Sequence, residues 1–323
     1  MRTEVAGPAD IPAIVDLFNL VFGQGRDVDD WRRLYSGTPA GPPVSCVIRE
    51  SGDIVGHLGA IPAWYGRGAD RLRGALLVDI MVHPDRTRRG LATRLSLAMH
   101  EVLGESFDLS FGFANRQAVP THLKTGMSNL GRAPVYVRYP RLSARREPRG
   151  GGDLRLRPVS LHGPELELRL GEEALPLWHR SRDLATLRWR YSDRPQGRYD
   201  FYLYDGAVAG SGYMVLARRK IRGLDAGLIM DIWAGENDWE ACRFMLSRAV
   251  DLLSGQGVRV IAALDVGNRA VLSALRRLGF LRLPQSVFPS QLNFVFKAYG
   301  GAGVDMPLRR KDWYLTWGDT DLV

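Results

Sequence analysis

The chain is poor in cysteine and has no long apolar run, and both absences limit the classes of protein to which it can belong. Its 323 residues contain only two cysteines, too few for a disulfide framework or a cysteine-type metal site. No run of about 18 apolar residues occurs, which excludes a transmembrane helix. The N-terminus carries an acid and has no apolar segment of the signal-peptide kind. We therefore expect a cytoplasmic protein without membrane association.

Other absences exclude several cofactors. The sequence has no cluster of histidine and cysteine at metal-ligand spacing and no Gly-x-Gly-x-x-Gly pattern. A metal, a flavin or a nicotinamide is therefore not expected. Cys46 lies in a predicted strand and is expected in the core, so no cysteine nucleophile is indicated.

The composition is that of a globular protein with a basic surface. Hydrophobic residues make up 45% and charged residues 24%, and the length fits two domains of about 150 residues each. The net charge is +9, and nearly all of the excess base is arginine. Such a surface can serve a nucleic acid, a phosphorylated cofactor or an acidic carrier protein, or no partner at all. Charge alone leaves these alternatives open.

A segment near the middle of the chain has the composition of a linker. Residues 141–157 hold three consecutive glycines beside a proline and six arginines, a poor basis for either helix or strand. We therefore predict an N-terminal domain of residues 1–140 and a C-terminal domain of residues 158–323, joined by this linker.

Both predicted domains alternate helical and extended patterns. In the first, the order is α-α-β-β-β-α-β, which is typical of a mixed α/β layer fold. In the second the order partly repeats, which indicates an internal duplication. The predicted helices are 11–22, 27–35, 91–102, 240–253 and one from about 270; the strands are 44–48, 54–58, 75–82, 107–113, 201–204, 209–216, 228–233 and 258–264.

Residues 78–95 combine a hydrophobic strand, a turn at Pro84, an Arg/Gly loop and the first turn of a helix. A helix N-terminus has unpaired amides and the positive end of the helix dipole, so it binds phosphate well. Gly90 and Ala92 remove side-chain bulk where a pyrophosphate would approach the backbone. The side chains of Arg86, Arg88, Arg89 and Arg94 add positive charge around it.

This stretch resembles motif A of the GNAT superfamily of N-acetyltransferases, Gln/Arg-x-x-Gly-x-Gly/Ala after a strand that ends in Val-x-Pro. Gly90 and Ala92 match the two small positions, whereas Thr87 departs from the first. The resemblance implies a predominantly antiparallel sheet flanked by helices, and acetyl-CoA or another acyl-CoA as cosubstrate. The residues it assigns to that cosubstrate are Met81, Val82, Arg88, Arg89, Gly90, Leu91, Ala92, Thr93 and Asn115.

A second motif occurs in both halves. Asn115 and Gly126 resemble the ends of the family's Asn-x-x-Ala…Gly-Phe helix, and Asn268 and Gly279 have the same spacing of eleven. The duplicated unit is therefore interpreted as two tandem GNAT-like domains. After the C-terminal strand 228–233, however, three acids replace the arginine loop, and an acidic helix start repels a pyrophosphate. Only the N-terminal domain is thus expected to bind CoA.

The resemblance also implies a mechanism of direct attack by an amine on the thioester in a ternary complex. The strand ending at Val82 would bulge and splay from its neighbour, and a backbone amide near Met81 would bind the thioester oxygen. Asp79 is the candidate general base; the alternative is a structural acid paired with an arginine, because Asp231 mirrors it. His122 is the candidate acid for the leaving thiolate, or else a solvated histidine.

The predicted function is transfer of an acyl group to the primary amine of a small molecule: an amino sugar, an amino acid or a natural-product intermediate, as in some long bacterial GNAT proteins. The alternatives are an acyl-carrier-protein or aminoacyl-tRNA donor, and a non-catalytic GNAT-fold binding module. Nucleic acid is not expected as a partner, and the oligomeric state is left open. The aromatic and arginine run 183–191 is interpreted as an amphipathic packing helix, although it also resembles segments of those proteins.

Overall fold

Two compact units make up the chain, which is seen in a computed structural model describing residues 1–140, 155–163, 176–192, 198–205, 212–234, 238–284, 292–300 and 309–321. The first unit consists of Met1–Tyr65, Asp70–Arg132 and Ser290–Leu308. The second consists of Gly66–Ala69, Ala133–Pro289 and Arg309–Val323. Each unit is therefore assembled from separate stretches of the sequence.

The first part of the chain forms the elements that the periodicity predicts, and adds three strands and a short helix. In chain order they are β1 (Arg2–Val5), α1 (Ile11–Phe22), α2 (Val28–Tyr35), β2 (Val44–Glu50), β3 (Asp53–Arg67), β4 (Asp70–Val82), α3 (Leu91–Gly104), β5 (Leu109–Ala114), α4 (Val119–Lys124), β6 (Ser128–Arg132) and β7 (Val135–Arg138). The added elements are β1, β6, β7 and α4.

The remaining described elements repeat much of that series. They are β8 (Arg155–Pro158), β9 (His179–Arg180), α5 (Leu184–Tyr191), β10 (Tyr199–Asp205), β11 (Gly212–Ile221), β12 (Leu224–Trp233), α6 (Trp239–Gly255), β13 (Val260–Leu264), α7 (Arg269–Arg277), β14 (Leu281–Arg282) and β15 (Asn293–Ala298). The run 183–191 forms helix α5, with Leu187 and Tyr191 buried, which agrees with a packing helix.

The two sheets have the same strand order. It is β1-β2-β3-β4-β5-β15-β6 in the first and β8-β10-β11-β12-β13-β7-β14 in the second. The parallel pairs β4–β5 and β12–β13 occupy the same place in each sheet, and the other registered pairs are antiparallel. The predicted mixed fold with two similar domains is confirmed.

The sixth strand of each sheet comes from the other half of the sequence. β15, near the end of the chain, lies between β5 and β6, and β7 lies between β13 and β14. The boundaries predicted at 140 and 158 therefore differ from the structure. A sequence pattern marks a strand but not its partner, so this exchange has no signal in composition.

The end of the predicted linker is a strand rather than a connection. Residues 155–157 belong to β8, which pairs with β10, and Arg157 forms an ion pair of 3.0 Å with Asp205. Leu156 packs against the core of the second unit. The alternation of the packed Leu156 with arginines on either side is therefore that of an edge strand. The rest of the linker, 141–154, lies outside the described residues.

Each unit has its own apolar core beneath its sheet. In the first, Leu91, Leu95, Met99 and Leu103 of α3 recur at helical spacing and are buried together with Cys46, as expected. In the second, α6 contributes an equivalent row of buried side chains, Met245, Leu246, Ala249 and Leu253, with Cys242 beside them.

The last described segment is part of the second core. Trp313, Tyr314, Leu315 and Trp317 are buried. Backbone hydrogen bonds join Leu315 to Val266 in both directions, at 3.0 and 3.2 Å. Gly267 beside this bridge has φ +96°, and a Cβ there would overlap the carbonyl oxygen of Trp313.

We expect Gly267→Ala to destabilise the second unit by more than about 2 kcal/mol, because it adds a backbone clash to an unfavourable φ. Gly257→Ala is the matched control. Its φ is +75°, but a Cβ there meets nothing within 4 Å, so only the conformational cost of about 1 kcal/mol applies. Urea unfolding of both variants measures the difference, and equal losses would contradict the docking of residues 313–317.

Candidate active site

The hydrogen-bonded pairing of β4 with β5 stops before β4 ends. The parallel ladder pairs Gly74, Ala75 and Leu76 with Leu109, Ser110 and Phe111 and then stops, while β4 continues to Val82. Asp79 has φ +51°, a left-handed conformation that few residues other than glycine adopt, and it marks a bulge in β4. The predicted bulge and splay are therefore present.

The amides beyond the bulge point alternately to the two edges of β4. The His83 amide donates to the Val55 carbonyl of β3 at 2.8 Å. Because successive amides of a strand face opposite edges, the amide of Met81 faces β3 as well. The amides of Ile80 and Val82 face the gap beside β5 instead. Met81 itself is buried.

A helix N-terminus stands at the end of this gap. A short 3-10 turn, Pro84–Arg86, leads to Arg88 with φ +62° and to Gly90 with φ +73°, the N-cap of α3. The first hydrogen bond of α3 runs from the Arg94 amide to the Gly90 carbonyl at 3.1 Å. The amides of residues 90–93 thus have no partner inside the helix. A Cβ at Gly90 would meet nothing within 4 Å, so its backbone conformation is what requires glycine.

Two of the four loop arginines are engaged within the protein. Arg86 forms an ion pair with Glu50, and Arg94 donates to the Met1 carbonyl and the Thr3 hydroxyl at 3.3 Å each. Arg88 and Arg89 are exposed and make no hydrogen bond or ion pair with the described residues. Their guanidinium groups are therefore available to an anion beside the helix N-terminus.

The side chain of Asp79 is held by two residues from the helical region before β2. The Tyr35 hydroxyl donates to its Oδ2, and the Arg26 guanidinium lies 3.5 Å from the same oxygen. His57 approaches the Asp79 carbonyl oxygen with Nδ1 at 3.1 Å. Complete burial of His57 lowers its pKa to about 4, so its ring is neutral and Nδ1–H can donate to that oxygen.

The second unit repeats this arrangement around Asp231. Arg182 lies 3.2 Å from Asp231, and the Tyr191 hydroxyl donates to it at 3.3 Å. Arg26 and Tyr35 are separated by nine positions, as are Arg182 and Tyr191. The second copy is more enclosed: the acid and arginine side chains are 5% exposed there, against 12% and 18% in the first.

The gap beside β12 differs from the gap beside β4, because the chain itself fills it. β12 pairs with β13 only as far as Ile229 and Ala263. Beyond that point the Tyr314 hydroxyl donates to the Ile232 carbonyl, and Leu315 bridges Val266 after β13. α6 then begins with the acids Asp238 and Glu240, and Asp238 caps it.

His122 is buried rather than solvated. It lies on α4, and its Nδ1 has no hydrogen-bond partner in the described part of the chain. Burial lowers its pKa to about 4, so the ring is neutral at physiological pH. The carbonyl of His122 accepts from the Met127 amide at 3.1 Å. The carbonyl of Leu275 accepts from the Phe280 amide at 3.0 Å, so Leu275 stands at the position of the second unit that corresponds to His122.

Asn115 caps a turn at the end of β5. Its Oδ1 accepts from the amides of Gln117 and Ala118 at 3.0 and 2.9 Å. Pro120 stands near the start of α4, which begins four residues after Asn115; in the second unit α7 follows Asn268 directly. Asn115 is thus seen in a structural role, and its assignment to the cosubstrate stays a prediction.

Sequence reasoning missed Arg26, Tyr35 and His57 as neighbours of Asp79. For the first two a signal was present: both halves contain Arg-Asp followed by Tyr-Ser at the same spacing, in 26–36 and 182–192. For His57 there was none, because its contact with Asp79 depends on the pairing of β3 with β4.

Both cysteines are buried. Burial raises the pKa of the Cys46 thiol to about 11 and that of Cys242 to about 12, so both stay neutral thiols. No group of three or more His, Cys, Asp or Glu side chains in these ranges is arranged to hold a metal ion. No helix among them is long and apolar enough to cross a membrane.

Comparison with known proteins agrees with this geometry. Residues 3–119 match the family model of the acetyltransferase (GNAT) domain, a stretch that holds β4, the arginine loop and α3. A comparison with curated proteins finds no significant match.

Solved structures resemble almost the whole chain. A conserved Enterococcus faecalis V583 protein described as a probable N-acyltransferase has a TM-score of 0.65 at 13% identity, covering 92% of this chain and 72% of its own. A GCN5-related N-acetyltransferase from Anabaena variabilis has 0.64 at 17% identity, covering 93% and 73%. Eis1 from Mycobacterium abscessus has 0.60 at 16%, covering 93% and 74%. At identities of 13–17%, this likeness establishes a shared fold alone.

We expect His122 to stay neutral from pH 8 down to about 5.5, because burial lowers its pKa to about 4. An NMR titration of the imidazole resonances measures this, with His122→Gln assigning the signal. The His122 resonance should hold its chemical shift over that range, whereas a midpoint near 6.5, as in a solvated histidine, would contradict the buried position.

Proposed function

We propose that the protein is an acetyl-CoA-dependent N-acyltransferase whose cosubstrate binds the GNAT domain of the first unit. The observation that carries this proposal is the gap between β4 and β5, which ends at the uncapped N-terminus of α3 beside Arg88 and Arg89. A phosphorylated, extended molecule matches both features: phosphates suit the amides and guanidinium groups, and an extended arm suits an unpaired strand edge.

In this proposal, the amides of residues 90–93 and the two arginines hold the pyrophosphate. The pantetheine arm pairs with β4, and the Val82 or Ile80 amide, rather than that of Met81, donates to the thioester oxygen. That hydrogen bond strengthens as negative charge develops on the oxygen during attack by the amine. Attack is direct, since both cysteines are buried neutral thiols.

We propose no CoA site in the second unit. The acids Asp238 and Glu240 at the start of α6 disfavour phosphate. In addition, Tyr314 and Leu315 occupy the gap where a pantetheine arm would pair with β12. In this proposal the second unit therefore has a structural role, including the strand exchange.

Proton transfer has two candidate side chains, Asp79 and His122. A neutral His122 cannot donate a proton to the thiolate until it has taken one up. It would therefore first accept the proton that the amine releases and then pass it to the leaving thiolate. The proposed acceptor is the primary amine of a small molecule such as an amino sugar, an amino acid or a natural-product intermediate.

Titration calorimetry with acetyl-CoA should show one equivalent bound per chain. Gly90→Glu should abolish binding, because it places a carboxylate at the phosphate site, and Arg88→Ala with Arg89→Ala should weaken it roughly tenfold or more. Gly257→Glu is the control, with the same charge change at an exposed glycine of similar φ, +75°, where a Cβ meets nothing within 4 Å, and it should bind as the wild type does. Absence of binding, or two equivalents, would refute the single site in the first unit.

Turnover should release free CoA thiol only when an amine acceptor is present, because attack is direct. A thiol assay with acetyl-CoA and a panel of amino sugars, amino acids and polyamines measures this. Tight acetyl-CoA binding without thiol release across the panel would favour a non-catalytic module. Release with a carrier-linked or tRNA-linked donor in place of acetyl-CoA would favour the other donor class.

A further inference from the structure

We propose that Arg26, Tyr35 and Asp79 form a clamp that fixes the bulge of β4 and so positions the amides of Ile80 and Val82. In this account Asp79 is a positioning residue and not the general base. The clamp is defined by the Tyr35 hydroxyl and the Arg26 guanidinium on the Asp79 carboxylate. The part of the inference that concerns acyl-CoA rests on the proposed function.

The bulge needs stabilising side-chain contacts because its backbone is strained. Asp79 is one of four described residues other than glycine with positive φ. Such a conformation persists only where the surroundings over-determine it. Here the side chain is held by Tyr35 and Arg26, and the carbonyl oxygen accepts from His57. These contacts thus fix both the side chain and the backbone carbonyl of Asp79.

The two clamping side chains are themselves anchored. Asn19 exchanges two hydrogen bonds with the backbone of Arg26, at 2.8 and 2.9 Å, and the Arg26 guanidinium lies 3.8 Å from the centre of the Phe18 ring. The Tyr35 ring lies 4.2 Å from that of Trp31. The position of Asp79 is therefore set by the packed region of α1 and α2.

The second unit contains the same clamp without a cofactor loop. Arg182 and Tyr191 hold Asp231, and Tyr213 and Thr316 add hydrogen bonds at 2.9 and 3.2 Å. Asp231 lies beside a register shift in the β11–β12 ladder, where one residue of β12 is left unpaired. The clamp thus accompanies an irregular strand in both units.

The presence of the clamp in both units distinguishes the two roles considered for Asp79, general base and positioning residue. A general base has a use only where a cosubstrate and an amine meet. A clamp has a use wherever the fourth strand must bulge. Asp231 is enclosed and its gap is filled by the chain, so it has no acceptor to deprotonate. The feature common to Asp79 and Asp231 is the irregular strand that each accompanies.

Hydrogen–deuterium exchange of the unliganded protein tests the clamp without any cosubstrate. Tyr35→Phe and Asp79→Asn should each speed exchange in peptides covering 77–86 by roughly tenfold, the loss expected from one hydrogen bond to a charged group. Tyr139→Phe, at an exposed tyrosine, is the control and should leave these peptides unchanged. Unchanged exchange in both clamp variants would overturn the proposal.

Steady-state kinetics tests the positioning role itself. Tyr35→Phe and Asp79→Asn should each weaken acetyl-CoA binding roughly tenfold, and the double variant should bind little worse than either single variant. The acid limb of the kcat/KM pH profile should stay in place. A general base predicts otherwise: Asp79→Asn would lower kcat by roughly 10²–10⁴ and remove the acid limb, while Tyr35→Phe would change little. That second pattern would overturn the inference.

The failure of the proposed function can be told apart from the failure of the clamp. If the wild type binds no acetyl-CoA, the proposed function falls, and the exchange experiment alone decides whether the clamp fixes the bulge. If the wild type binds acetyl-CoA and exchange is unchanged in both variants, the clamp falls and the proposed function stands.

Discussion

The separation of β4 from β5 after Leu76 is the constraint on which the proposed site depends. A parallel pair would ordinarily continue to the end of the shorter strand, and it would leave no polar edge for a ligand. The ladder ends at Leu76, the bulge at Asp79 follows, and by strand alternation the amides of Ile80 and Val82 face the side of β5. α3 begins at Leu91, shortly after β4 ends at Val82, and in the proposed function the strand edge and the helix N-terminus form one site.

The second unit is a natural comparison for the first, because it has the same strand order and also an irregular fourth strand, with a register shift beside Asp231. It differs in the two features that a cosubstrate would need. Acids replace the arginine loop, and buried residues 313–317 fill the gap. In the proposed function one fold therefore carries a CoA site in the first unit and none in the second, and the difference comes from a loop of a few residues and a terminal segment. The family match covers residues 3–119 and so includes the open gap.

Much of the fold could be predicted from sequence, and the reasons are local. The helix 11–22 was predicted to the residue because apolar side chains recur at helical spacing and a proline stands in its first turn. The arginine loop was recognised because phosphate binding needs glycine, arginine and a helix start close together in the chain. By contrast, the exchange of β7 and β15 and the contacts of Asp79 are tertiary, and single-chain periodicity does not encode partners.

The most direct measurement is a crystal structure of the protein with CoA. We expect one molecule per chain, with its pyrophosphate at the amides of residues 90–93 and its pantetheine arm along β4 opposite Ile80 and Val82. The gap beside β12 should still hold Tyr314 and Leu315. CoA bound away from the β4–β5 gap, or a second molecule that displaces residues 313–317, would contradict it.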